Sequence, residues 1–173
     1  PMLLRMLLPL CMGFASAAGM AQDCGWSRID HRVDYDASGA WNPDVYRGVA
    51  SAFTVAQAGA ALWEGSESRF GRTLWQGVDA QIIASVTASI GKRVFTRVRP
   101  IDANNPCLWF EGGSNYSFPS REAAGMAALV TPYILEYASE QTAVYALALL
   151  PLYIGTGRIK NQAHWQTDVL AGW

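Results

Sequence analysis

Three separated stretches hold most of the polar chemistry of an otherwise apolar chain. The first reads Lys92-Arg93-Val94-Phe95-Thr96-Arg97-Val98-Arg99-Pro100. Lys92 and Arg99 are seven residues apart, two helical turns, so on a continuous helix they share a face. The second reads Ser117-Phe118-Pro119-Ser120-Arg121-Glu122. Ser120 is a ready N-cap, and the helix after it turns backbone N–H groups toward whatever lies before it, a natural anion site. The third runs from Arg158 to Asp168 and contains His164. His164 and Asp168 are four apart and face the same way if they sit on one helix. A carboxylate on one imidazole nitrogen fixes the tautomer and frees the other nitrogen to attack. Taken singly, each stretch has an ordinary explanation: a basic helix C-terminus, a capped helix with Glu122 in its first turn, a core or solvated histidine. Taken together, they supply cations, a hydroxyl, a helix N-terminus and a backed imidazole, which is what phosphoryl transfer needs for charge neutralisation and positioning.

These side chains have to be placed by helices. No apolar–polar alternation of period two is sustained anywhere, and no repeat is visible, so the class is all-α. Residues 22–46 read as an irregular, acidic arm in which His31 is solvated and remote from the other chemistry. Asn42-Pro43-Asp44 opens a helix over about 44–63, with Pro and Asp suited to a first turn. Gly65-Ser66-Glu67-Ser68 breaks it. A long helix over about 72–98 follows and ends before Pro100, because the residue preceding a proline disfavours the helical region. Residues 101–118 form a loop. Further helices are expected from Ser120, from near Ser139 or Glu140, and after Gly157.

The chain has 173 residues, 51% hydrophobic and 16% charged, with a formal net charge of -1. That balance gives no electrostatic basis for binding nucleic acid. Seven Trp, seven Tyr and six Phe exclude disorder, and three Cys with two His are too few and too scattered for a zinc framework. Arg5, the apolar run 6–15 and the small residues 15–21 have the layout of a secretory signal over 1–21. The remainder, 22–173, reads as one helical domain whose last apolar pattern is still running at Trp173. Export leaves Cys24 and Cys107, either as one disulfide or as two buried thiols; spacing does not decide. The longest uncharged runs, 48–63 and 141–157, are marginal against the ~20 apolar residues of a membrane span. The expectation is a soluble exported bundle, in the periplasm or at the outer face of the inner membrane, with membrane association open and the oligomeric state unspecified.

In order, Lys-x6-Arg-Pro, Pro-Ser-x-x and Arg-x5-His-x3-Asp resemble the tripartite signature of the type 2 phosphatidic acid phosphatase superfamily. That superfamily includes exported acid phosphatases, membrane lipid phosphatases and vanadium haloperoxidases. The resemblance covers about Trp75 to Trp173, and His164-Trp165-Gln166-Thr167-Asp168-Val169-Leu170-Ala171-Gly172 is especially close to the third motif. It implies a helical bundle, a phosphohistidine intermediate and no metal or other cofactor. On that resemblance His164 is the nucleophile and Asp168 its orienting carboxylate. Lys92, Arg99 and Arg158 match the phosphate-binding cations, Ser120 matches a hydroxyl donor to a phosphate oxygen, and Arg121 is an added cation beside it. The implied substrates are phosphomonoesters or lipid phosphates.

Two positions depart from the pattern. Gly157 precedes Arg158 where the motif usually has Ser. More consequentially, the second motif usually continues Gly-His, its His being the acid for the leaving group, and here Arg121-Glu122 stands instead. Three outcomes stay open: Glu122 as a substitute acid, slow turnover of substrates with good leaving groups, or an anion-binding relative without turnover. A vanadate-dependent haloperoxidase is a further alternative, disfavoured by the same missing histidine.

Overall fold

The computed structural model describes residues 28–173. The expected signal segment and Cys24 lie outside the described residues. Five α-helices follow one another: α1 Pro43–Glu64, α2 Arg69–Phe95, α3 Arg121–Tyr137, α4 Leu149–Lys160 and α5 Gln166–Leu170, with a 3-10 segment Thr142–Ala148 leading into α4. No strand occurs among the described residues, so the chain is all-α as expected.

The helix starts are set by short polar side chains. Asn42 accepts from the Asp44 amide at 2.9 Å and Pro43 occupies the first turn of α1. Ser68 caps α2 by accepting from the Gly71 amide at 2.9 Å, and Ser120 caps α3. The helices α1, α3 and α4 meet at a core of Tyr46, Met126, Leu129, Val130 and Ile154, and α2 packs along α3 and α1. Two glycines permit close approaches that matter to the site. A Cβ on Gly157 would come within 2.9 Å of the Tyr46 ring, so α4 can lean on α1 only with glycine there. A Cβ on Gly172 would come within 2.8 Å of the Ser120 carbonyl, which lets the chain after α5 lie against the start of α3.

Three boundaries differ from the expectation. First, α2 stops at Phe95, not near residue 98. Thr96 adopts a left-handed conformation (φ 37°), and the chain beyond it pairs with the following loop through Val98 N–H to the Leu108 carbonyl and Ser117 N–H to the Arg97 carbonyl. Lys92 and Arg99 therefore do not share a helical face; Arg99 lies beyond the helix. Second, α4 continues through Gly157 to Lys160, because that glycine is used for packing and not for termination. The helix ends where Asn161 and Gln162 turn to bind the N-terminal arm: Asn161 Nδ2 donates to the Asp36 and Trp41 carbonyls, and Gln162 Nε2 to that of Val33. Third, His164 lies in the loop before α5 while Asp168 lies within α5, so the pair is joined across a helix start instead of along a helix face.

The arm, too, is more than an irregular lead. It binds residues 160–167 through the contacts above and through Asp30, and His31 reaches Gln166 through its backbone N–H at 3.1 Å. His31 is nevertheless exposed.

Candidate active site

At the floor of the site, Asp168 is fully buried and fully used. Its Oδ2 accepts from the Trp165 amide at 2.9 Å and from Ser117 Oγ at 2.5 Å. Its Oδ1 accepts from Arg97 Nη1 at 2.5 Å. The Arg97 guanidinium is itself fully buried and also binds Asp30 at 2.6 Å and the Pro106 carbonyl at 2.7 Å, with its plane over the Trp109 ring at 4.3 Å. Asp30 returns to α5 by accepting from the Thr167 amide at 2.8 Å and hydroxyl at 2.6 Å. Burial raises the Asp168 pKa, but His164, Arg97 and Ser117 outweigh it and hold the carboxyl below its ordinary value. A buried charge is tolerable only when paired and hydrogen-bonded in this way. Cys107, next to Pro106, is disulfide-bonded; its expected partner Cys24 lies outside the described residues.

His164 stands above this floor, 1% exposed. Its Nδ1 is 3.7 Å from Asp168 Oδ2, and its Nε2 is 3.8 Å from Glu122 Oε2. Both separations exceed hydrogen-bond length, and neither ring nitrogen has a hydrogen-bond partner. The imidazole is thus held between two carboxylates by packing, with Nε2 directed to the Glu122 side.

The rim is cationic and open. A pocket of about 310 Å³ is lined by Lys92, Arg93, Arg99, Arg121, Glu122 and Arg158, with Ser89 and Tyr116. Arg158, from the buried face of α4, donates to the Tyr46 hydroxyl at 3.2 Å, and its Nη2 is 3.7 Å from Glu122 Oε1. Arg121 Nη2 lies 4.0 Å from the same oxygen. Lys92 Nζ donates to the Tyr116 carbonyl at 2.7 Å, and burial lowers its pKa to about 8. Burial pushes the Glu122 carboxyl up, but His164 and Arg158 more than reverse this and hold it well below the usual carboxylate range. Several polar atoms here are buried without partners: Nε of Arg99, Nε of Arg158 and Oε2 of Glu122.

The eight residues singled out from the sequence therefore fall in two groups. Lys92, Arg99, Arg121, Glu122 and Arg158 line the pocket. Ser120, His164 and Asp168 lie behind it; Ser120 is fully buried, caps α3, and donates its amide to the Asp168 carbonyl at 2.9 Å. Arg97, Asp30, Ser117 and Tyr46 are not among the residues the sequence picks out. Arg97 is one of several cations in the first basic stretch, and Asp30 is one of several aspartates in the arm. Nothing local distinguishes either, since their charged partners are 67 to 71 residues away. Among the described residues no group of three or more His, Cys, Asp or Glu side chains is placed to hold a metal ion.

No curated protein and no solved structure matches the chain. The model of the PAP2 superfamily does match, over residues 74–173, which takes in α2 from its first turns, the loop after it, and every residue of the pocket and of the His164–Asp168 pair. By that match across more than half of its length, an all-helical chain with cations gathered before a carboxylate-backed histidine belongs to the PAP2 superfamily, whose characteristic activity is of the phosphatase type.

Proposed function

We propose that this protein hydrolyses phosphate esters, phosphomonoesters or lipid phosphates, through a phosphohistidine formed on Nε2 of His164. The observation that carries the reading is the placement of His164 between buried Asp168 and a pocket lined by Lys92, Arg99 and Arg158, with its ring nitrogens free of hydrogen bonds. In the first step the Nε2 lone pair forms a P–N bond as the ester P–O bond breaks, and the leaving group departs as the free anion or takes a proton from water. In the second, water attacks phosphorus, the P–N bond breaks, and phosphate is released. The cations neutralise the equatorial oxygens, and Asp168 stabilises the imidazolium.

Glu122 limits the leaving groups. A carboxyl held ionised in the free protein has no proton to give, so aryl phosphates should react faster than alkyl phosphates. Its place between the pocket and His164 also favours a second reading, an anion-binding relative without turnover. Phosphate release from an aryl phosphate by the purified protein, over a pH series with and without chelator, decides. Turnover unaffected by chelator supports the proposal; binding of phosphate without any turnover supports the second reading.

The apolar run 6–15 supports export to the periplasm or to the outer face of the inner membrane. Exposed Ile82, Ile83, Val86, Ile90 and Val94 on α2, and the apolar stretch Thr142–Lys160, are suited to association with a membrane. Flotation with phospholipid vesicles tests this; protein remaining wholly in the dense fraction would refute it.

A further inference from the structure

Glu122 puts a carboxylate inside the cluster that has to bind the substrate anion. Its Oε1 faces Arg158 Nη2 at 3.7 Å and Arg121 Nη2 at 4.0 Å, and its Oε2 faces His164 Nε2 at 3.8 Å. These are the same cations, and the same nitrogen, that a phosphoryl group would address. Oε2 is buried and has no hydrogen-bond partner, so it is held there by the charges around it and not by a local bond. The cluster therefore already contains one negative charge before any ligand arrives. Like charges a few ångströms apart in a partly buried site repel strongly, and the repulsion scales with the ligand's charge. A doubly charged phosphoryl group meets it twice over; a singly charged one meets it once.

The space around the cluster points the same way. A second open pocket of about 430 Å³ runs along α2, lined by Ser85, Val86, Ser89, Ile90, Arg93 and Arg121. It shares Ser89, Arg93 and Arg121 with the cationic pocket, so a phosphoryl group at the cluster has room for substituents on two sides. Val86 and Ile90 are 54% and 59% exposed there and offer apolar contact to an ester arm.

We propose that this site is matched to a phosphoryl group carrying one negative charge, a phosphodiester, with Glu122 supplying the charge that a monoester would bring as its second. The proposal rests on the pocket being the substrate site of a phosphoryl-transfer enzyme, as argued above, and puts a diester, hydrolysed to a monoester and an alcohol, in place of the monoester of that reading.

The test is equilibrium binding by calorimetry at pH 7.5, with dimethyl phosphate, a monoanion, and methyl phosphate, a dianion at that pH because its second ionisation lies near ~6. Three proteins are compared: the natural chain, Glu122→Gln and Glu122→Asp. The natural chain is expected to bind dimethyl phosphate at least as tightly as methyl phosphate. Glu122→Gln keeps the shape and removes the charge, and should strengthen methyl phosphate at least about tenfold more than dimethyl phosphate. Glu122→Asp keeps the charge and should leave the natural ratio within about threefold. A ratio unchanged in Glu122→Gln, or methyl phosphate bound more tightly than dimethyl phosphate by the natural chain, overturns the proposal. Absence of binding by all three overturns it together with the pocket's role as an anion site. The hydrolase reading fails separately, when the expected binding pattern is present and neither an aryl phosphate nor an aryl methyl phosphodiester is turned over.

Discussion

The floor and the rim of this site are built on opposite terms. At the floor, Asp168, Arg97, Asp30, Ser117 and Thr167 are all at most 5% exposed and all hydrogen-bonded to one another. At the rim, Arg99, Arg158 and Glu122 carry buried polar atoms with no partner, as does His164 between the two zones. A buried polar group left unsatisfied costs about 1–3 kcal/mol, more when it is charged. The completed network is structure; the incomplete one is where the proposed substrate anion would supply the missing partners. The contrast assigns different consequences to residues of the same type: Arg97 should matter to folding, Arg99 to binding.

The largest effects should come from the pair at the boundary. His164→Ala should remove essentially all turnover of an aryl phosphate while leaving the fold intact; near-normal rates would end the phosphohistidine reading. Asp168→Asn should cost several orders of magnitude, on the order of the ~10⁴ seen when a triad carboxylate is lost. It should also destabilise the protein, because Arg97 would lose a buried partner at 2.5 Å. The two losses are separable by measuring rates under conditions where denaturant curves show the variant folded.

Arg97 and Arg99 set the contrast most directly. Arg97→Met leaves Asp30 and Asp168 buried without their shared cation, and breaking a buried pair in this way costs about 3–5 kcal/mol. Arg99→Gln removes a buried, unpartnered Nε, so it should leave stability unchanged or raised while weakening phosphate binding. Denaturant unfolding and calorimetry, run on both variants, would dissolve the distinction if the two behaved alike. A smaller effect is expected at Cys107, whose disulfide lies beside the Pro106 carbonyl that holds Arg97. Its reduction should lower stability by about 2–4 kcal/mol, the usual range for one cross-link. Peptide mapping of oxidised protein should find Cys107 linked to Cys24; two free thiols would refute that pairing.

The sequence makes the rim and Asp168 legible and leaves the rest of the floor hidden, for a physical reason. Lys92, Arg99, Ser120, Arg158 and His164 sit at fixed spacings within short stretches, and local spacing can be read along one chain. Arg97 and Asp30 act through partners far away in sequence, and no local pattern carries that information. Helix positions were readable where a cap or an apolar face dictated them, as at Asn42 and Ser120. They depart from the local signals where long-range bonds prevail. Phe95 ends α2 because Arg97 is claimed by Asp168 and Asp30, and α4 passes Gly157 because that glycine meets the Tyr46 ring. His164 and Asp168, four apart in the sequence, come within 3.7 Å of each other, by way of a helix start and not a helix face.

The smallest predicted effect tests how far the rim is tuned by its own burial. Lys92 is lowered from an ordinary 10.5 to about 8 because burial penalises its ammonium, with Arg99 and Arg158 adding to the loss and Glu122 opposing it. It is therefore charged at neutral pH and loses its proton as pH rises through about 8. A bound anion favours the charged form, so binding takes up a proton above that pH and affinity must fall as pH increases. Dimethyl phosphate keeps one charge throughout this range, so its affinity reports the protein alone. From pH 7 to pH 9 it should weaken by roughly five- to tenfold, the limit for one linked proton with a modest rise in pKa on binding. Lys92→Arg carries a guanidinium that stays charged over the whole range, and its affinity should be nearly flat. A fall of equal steepness in Lys92→Arg would assign the titration to another group. A flat profile in the natural chain would mean that the two carbonyls Lys92 binds, those of Tyr116 and Ser117, satisfy its ammonium fully and place it with the floor rather than the rim.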